Sequence, residues 1–69
     1  MSRLDYRMGA RHARDTLMEV GSRAVAKDTA GLKETARNMA DAYRQRRAEG
    51  TNVDYCDGVL DTVELVELL

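Results

Sequence analysis

His12 and Cys56 are the only histidine and the only cysteine of this 69-residue chain, and together they could form a nucleophilic pair. Such a pair requires the imidazole to reach the thiol and a third group to orient the imidazole. Nothing in their spacing indicates that arrangement, so we expect a surface histidine on a helix and a small buried thiol. One histidine and one cysteine also cannot supply the four ligands of a structural zinc site. We therefore predict no metal site.

Carboxylates and glycines offer no better basis for catalysis. Asp57 and Asp61 could act as an acid and a base, but a chain this short has little room for a pocket that excludes water. A calcium loop ending at Glu64 would place Val53 and Tyr55 where oxygen ligands are required. The five glycines form no phosphate-binding motif. The sequence thus predicts a protein that is not an enzyme and needs no cofactor.

Arginine side chains are the most prominent groups that could recognise a partner, because their planar guanidinium groups bind carboxylates and phosphates. One row of arginines follows one side of the first predicted helix, and a cluster of arginines lies towards the end of the second predicted helix. If these two helices fold back on each other, the clusters would merge into one basic patch. The predicted partner-binding residues are Arg7, Arg11, Arg14, Tyr43, Arg44 and Arg47.

The net charge of −1 conceals a division between the two parts of the chain. All eleven basic residues lie within residues 1–50, whereas residues 51–69 contain five acidic residues and no basic one. The acidic segment could lie across the basic patch, within one chain or between two. It could also present an apolar stripe to a groove on a partner, or form a third core helix with a solvated acidic face.

Helical periodicity organises most of the chain. Apolar residues recur at spacings of three and four over residues 2–27, and again over residues 29–49, which predicts two amphipathic helices. Gly50 is well suited to end the second helix. Gly9 and Gly21 would each cost about 1 kcal/mol relative to alanine inside a helix. We interpret them as sites of close packing against a neighbour, with a kink as the alternative.

Residues 53–69 allow two interpretations. Cys56, Val59 and Val63 fit one face of an amphipathic acidic helix. Asp57-Gly58 is a strong turn dipeptide, so a β-hairpin is the alternative. We favour the helix because an isolated two-stranded hairpin is only marginally stable in water.

Self-association is expected because a chain of this size buries only about 60% of the surface that its unfolded form exposes. The predicted fold is all-α, with residues 1–69 forming one domain: an antiparallel helical hairpin plus a short C-terminal acidic helix, assembled as a homodimer. The predicted dimer seam comprises Tyr6, Ala10, Ala13, Leu17, Val20, Ala24, Leu32 and Met39.

The function predicted from these surfaces is regulation by protein–protein binding. Compact helical proteins of this size in bacteria and phages often act as inhibitors, anti-activators or adaptors, which is an analogy of size class. The alternative is a small dimeric nucleic-acid-binding regulator that uses its arginine-rich face. One thiol, no export signal and no apolar segment long enough to cross a bilayer predict a cytoplasmic protein without membrane association.

Overall fold

A computed structural model describes residues 3–23 and 29–68, and over this part of the chain it contains helices and no strand. The helices are α1 (Arg3–Arg23), α2 (Thr29–Ala48) and α3 (Val53–Glu67). The all-α prediction is therefore confirmed, as is the choice of a helix for the third segment. The predicted end of the first helix, near residue 27, lies outside the described residues.

A glycine-terminated turn ends α2 and leads directly into α3. The backbone N–H of Gly50 donates to the carbonyl of Arg47, and that of Thr51 donates to Arg46, both at 3.0 Å. This pair of bonds is a Schellman motif, and it needs a left-handed residue, which Gly50 supplies at φ 78°. Asn52 is also left-handed, at φ 42°, and its carbonyl accepts the N–H of Cys56 as α3 begins.

The turn makes α2 and α3 antiparallel neighbours. Arg47 pairs with Asp57 beside the turn, whereas Arg37 and Glu67, at the other end, line one shared groove. The antiparallel hairpin of α1 and α2 that the sequence predicted is not confirmed. Helices α1 and α2 contact each other little, and each of them makes most of its contacts with α3.

Two glycines bring α1 and α3 into backbone contact. A Cβ atom on Gly58 would lie 2.9 Å from the backbone nitrogen of Ala10 and closer still to the carbonyl oxygen of Tyr6. A Cβ on Gly9 would lie 2.9 Å from the carbonyl carbon of Tyr55 and closer to its oxygen. Close packing at Gly9 is thus confirmed. The prediction for Gly21 falls on a position whose side-chain environment lies outside the described part of the chain.

The core is small and aliphatic, and all three helices contribute to it. No buried polar or charged side chain accompanies it among the described residues. Leu32, Met39 and Tyr43 pack against it from α2. Its fully or nearly fully buried members are Ala13, Leu17, Ala36, Ala40, Cys56, Val59 and Val63. None of the helices, over the residues described, is both long and apolar enough to span a membrane.

Candidate protein-binding surface

A surface groove runs between α1 and α3 and collects three of the predicted partner-binding arginines. It has a volume of about 530 Å³. Most of its side chains are exposed, so it is an open groove and not a cavity sealed from water. We call it the arginine groove, and it is lined by Tyr6, Arg7, Ala10, Arg11, Arg14, Thr62 and Leu65.

The floor of the arginine groove is largely apolar and is tied to α3 by one hydrogen bond. The Tyr6 hydroxyl donates to Oδ2 of Asp61 at 2.5 Å, which holds the phenol ring across the contact between the two helices. That bond, with burial and the nearby carboxylate charges, raises the pKa of Tyr6 above its ordinary value of 10.0. Leu65 extends the apolar surface and is 67% exposed.

The arginines at the edge of this groove are only weakly held by carboxylates of their own chain. Nε of Arg11 lies 3.7 Å from Asp15, and Nε of Arg14 lies 4.0 Å from the same side chain. Arg7 has no carboxylate partner among the described residues. Exposed pairs of this kind contribute little to stability, since water screens them and the side chains lose entropy. Their exposed guanidinium groups are thus accessible to an incoming carboxylate or phosphate.

The second predicted arginine cluster lies elsewhere and is bound differently. Nε of Arg47 lies 2.6 Å from Oδ1 of Asp57, and this hydrogen bond raises the pKa of the guanidinium further. Arg44 pairs with Asp41 at 3.6 Å and lines a groove between α2 and α3. Arg44 therefore lines a different groove from the three arginines of α1.

A group of rings joins all three helices, and the sequence did not indicate it. His12 of α1 lies 6.4 Å from Tyr43 of α2 and 6.0 Å from Tyr55 of α3, measured between ring centroids. The guanidinium of Arg46 lies 4.6 Å above the Tyr43 ring. Burial raises the pKa of Tyr55. No spacing rule could indicate this group, because its members belong to three separate helices.

His12 and Cys56 have the environments that their residue types predict. His12 is exposed apart from its ring contacts. Cys56 is 2% exposed, and its thiol donates to the carbonyl of Thr51 at 3.3 Å. The thiol is therefore engaged with the turn before α3. Among the described residues, no group of acidic, histidine or cysteine side chains could hold a metal ion.

The residues predicted to form a dimer seam occupy several environments in the single chain. Ala13 and Leu17 are buried in the same core as Val59 and Val63 of α3. Ala10 lies against Gly58 and is half-buried, as are Val20, Leu32 and Met39. Tyr6 lines the arginine groove, and Ala24 lies outside the described residues. In the single chain, α3 thus covers the centre of the face that we had assigned to a second copy.

Comparison of the chain with protein-family models, with curated proteins and with solved structures finds no match.

Proposed function

We propose that this chain is a small non-enzymatic regulatory protein that works by binding another protein through the arginine groove. Its role would be that of an inhibitor, anti-activator or adaptor that covers a surface of its target. The observation that carries the proposal is the combination of an apolar floor with three exposed arginines along one edge.

The chemistry of the groove favours a partner segment that is both apolar and acidic. Apolar side chains of the partner would bury surface against Tyr6 and Leu65, which supplies most of the affinity. Carboxylates of the partner would bind Arg7 and Arg14, and such charge complementarity orients the partner and accelerates association. An amphipathic helix with one acidic flank satisfies both requirements.

A binding role also agrees with the side chains that line the groove, since no histidine or cysteine is among them. The Tyr6 hydroxyl in the groove is engaged in a hydrogen bond to Asp61. His12 and Cys56 belong to other parts of the surface and core. A buried thiol suits a reducing compartment, so the proposal places the protein in the cytoplasm.

The test is affinity purification from the native cell with charge-reversed variants. We expect one stoichiometric protein with the wild-type chain, and its loss with R7E/R14E, because two guanidinium donors become carboxylates. The matched control is R37E/R44E, which changes the net charge equally but alters the groove between α2 and α3. Equal recovery with R7E/R14E, or selective loss with R37E/R44E, would move the binding surface away from the arginine groove.

The arginine row also supports a second candidate function, the binding of nucleic acid by a small dimer. Arg7, Arg11 and Arg14 are exposed on one side of α1, at a spacing that could contact successive phosphates. If they do, affinity should fall steeply with salt, and R7A/R11A should reduce the slope of log affinity against log salt by about one per lost contact. An unchanged slope would exclude this function for the arginine groove.

The homodimer belongs to the same proposal. A small core without a disulfide leaves one copy marginally stable, and a second copy would bury further apolar surface. Because α3 already covers Ala13 and Leu17, the dimer contact is best sought on a face that α3 leaves open.

A further inference from the structure

The side of α1 that faces away from the core carries an unexpected apolar stripe. Leu4, Met8 and Met18 are 67%, 52% and 65% exposed. Together with Arg11 and Asp15 they recur at spacings of four, three, four and three, which is the pattern of a helix–helix seam. We call these five residues the outer stripe.

The outer stripe is separate from the face that packs on α3. Leu4 and Ala13 are nine residues apart, as are Met8 and Leu17, and nine residues amount to about two and a half helical turns. The members of each pair therefore project from opposite sides of α1. Ala13 and Leu17 are buried, whereas every residue of the outer stripe is exposed. No part of the described chain covers it.

We propose that the outer stripe binds the outer stripe of a second copy, with the two α1 helices antiparallel. In one register Arg11 faces the partner's Asp15 and Asp15 faces the partner's Arg11. The same register places Met8 against the partner's Met18 and Met18 against the partner's Met8. Met8, Arg11, Asp15 and Met18 are thus complementary to the same four residues of the second copy in charge and in apolar surface, as a two-fold symmetric interface requires, while Leu4 lies beyond these pairs.

Charge determines the direction of the two helices. In a parallel pair, Arg11 would face Arg11 and Asp15 would face Asp15 at the centre of the seam, where removal from water makes like charges costly. Within one chain, Nε of Arg11 already lies 3.7 Å from Asp15, so four alternating charges would form one central network. Arg14 of each copy would remain at the solvent edge, where salt screens its repulsion.

This inference rests on the proposal that the chain self-associates, and it deepens that proposal by naming the surface. The outer stripe shares only Arg11 with the arginine groove. A dimer built this way would use Arg11 in its seam and leave Arg7 and Arg14 of each arginine groove to bind a target.

Sedimentation equilibrium over a dilution series tests the interface. We expect the wild-type chain to dimerise, and R11D and D15R each to weaken the dimer by about tenfold or more, because each places like charges face to face. Mixing R11D with D15R should restore dimerisation, since one chain then presents two acids and the other two bases. The control, R37D, alters an exposed arginine of α2 and should leave the dimer unchanged.

Each result has one meaning. A wild-type chain that stays monomeric at every concentration would overturn both the proposed self-association and the proposed role of the outer stripe. Partner binding by the arginine groove is measured in the separate affinity-purification experiment. A wild-type dimer that R11D and D15R leave intact would overturn the outer stripe alone, as would a mixture that associates no better than its components. Circular dichroism of R11D and D15R checks folding, which we expect to be retained because both side chains are more than 60% exposed.

Discussion

Helix α3 packs against α1 and is joined to α2 in two physically different ways. Against α1, glycines at positions 9 and 58 let two backbones touch, with no room for a side chain between them. At the junction with α2, Gly50 forms a turn that is open to solvent, with nothing within 4 Å of a Cβ placed there. An exposed ion pair of Arg47 with Asp57 bridges the helices beside it.

Helix propensity alone therefore does not determine what a glycine contributes to the stability of this chain. By helix propensity alone, alanine at position 9 or 58 would stabilise the chain by about 1 kcal/mol. The backbone contact opposes that gain, since no flexible side chain is available to move aside. Helix contact requires glycine at these positions, whereas backbone conformation requires it at position 50.

The largest expected effect is that of G58A. We expect it to lower the free energy of unfolding by about 2–3 kcal/mol, because the added methyl group forces α1 and α3 apart and the cost of overpacking exceeds the gain in propensity. Chemical denaturation followed by circular dichroism measures the change. A variant as stable as the wild-type chain, or more stable, would show that the two backbones do not approach as closely as described.

A smaller loss is expected for G50A, which makes the same chemical change without a clash. Alanine at φ 78° is strained, and this costs about 1 kcal/mol. The same denaturation experiment serves as the measurement, and G50N provides the control because asparagine tolerates left-handed backbone. If G50A were as damaging as G58A, the proposed difference between the two regions would be wrong.

Removal of the exposed ion pair should matter less than either glycine substitution. We expect R47Q to lower the melting temperature less than G50A does, since both charged groups are largely accessible to water. Added salt should reduce the difference in melting temperature between R47Q and the wild-type chain, because it screens the ion pair. A loss comparable to that of G58A would mean that the α2–α3 junction depends on this pair.

The mildest effect concerns the titration of Tyr6. Absorbance of the phenolate, taken as the difference between the wild-type chain and Y6F, should give a pKa above 10.0, and D61N should lower it. Because the folded chain holds this proton more tightly than the unfolded chain, the stabilisation is complete below pH 10 and is lost as pH rises through the folded pKa. A Tyr6 pKa that D61N leaves unchanged would contradict the bond to Asp61.

Local features of this fold were predictable from the sequence, because neighbouring residues determine them. Helical periodicity indicated the three helices, and Gly50 indicated the end of α2. The position of Cys56 on the same helical face as Val59 and Val63 indicated a buried thiol. Each of these predictions depends on residues within one or two helical turns, where spacing determines which side chains share a face.

Contacts between helices could not be predicted in the same way. The stripe containing Ala13 and Leu17 indicated a buried face, but α3 and a second copy of the chain would cover such a face equally well. Gly58 follows an aspartate and therefore resembled a turn, although its role is the contact with Tyr6 and Ala10. Three arginines of the groove were identified from their spacing on α1. Thr62 and Leu65 were not, because they come from α3.

The contact of α3 with α1 at Gly9 and Gly58 creates the arginine groove between these two helices. The most direct measurement is a nuclear Overhauser spectrum of the wild-type chain in solution. We expect strong cross-peaks from the α-protons of Gly58 to backbone protons of Tyr6 and Ala10, and from the α-protons of Gly9 to backbone protons of Tyr55. A folded, helical chain that lacks these cross-peaks would contradict both the contact and the groove built on it.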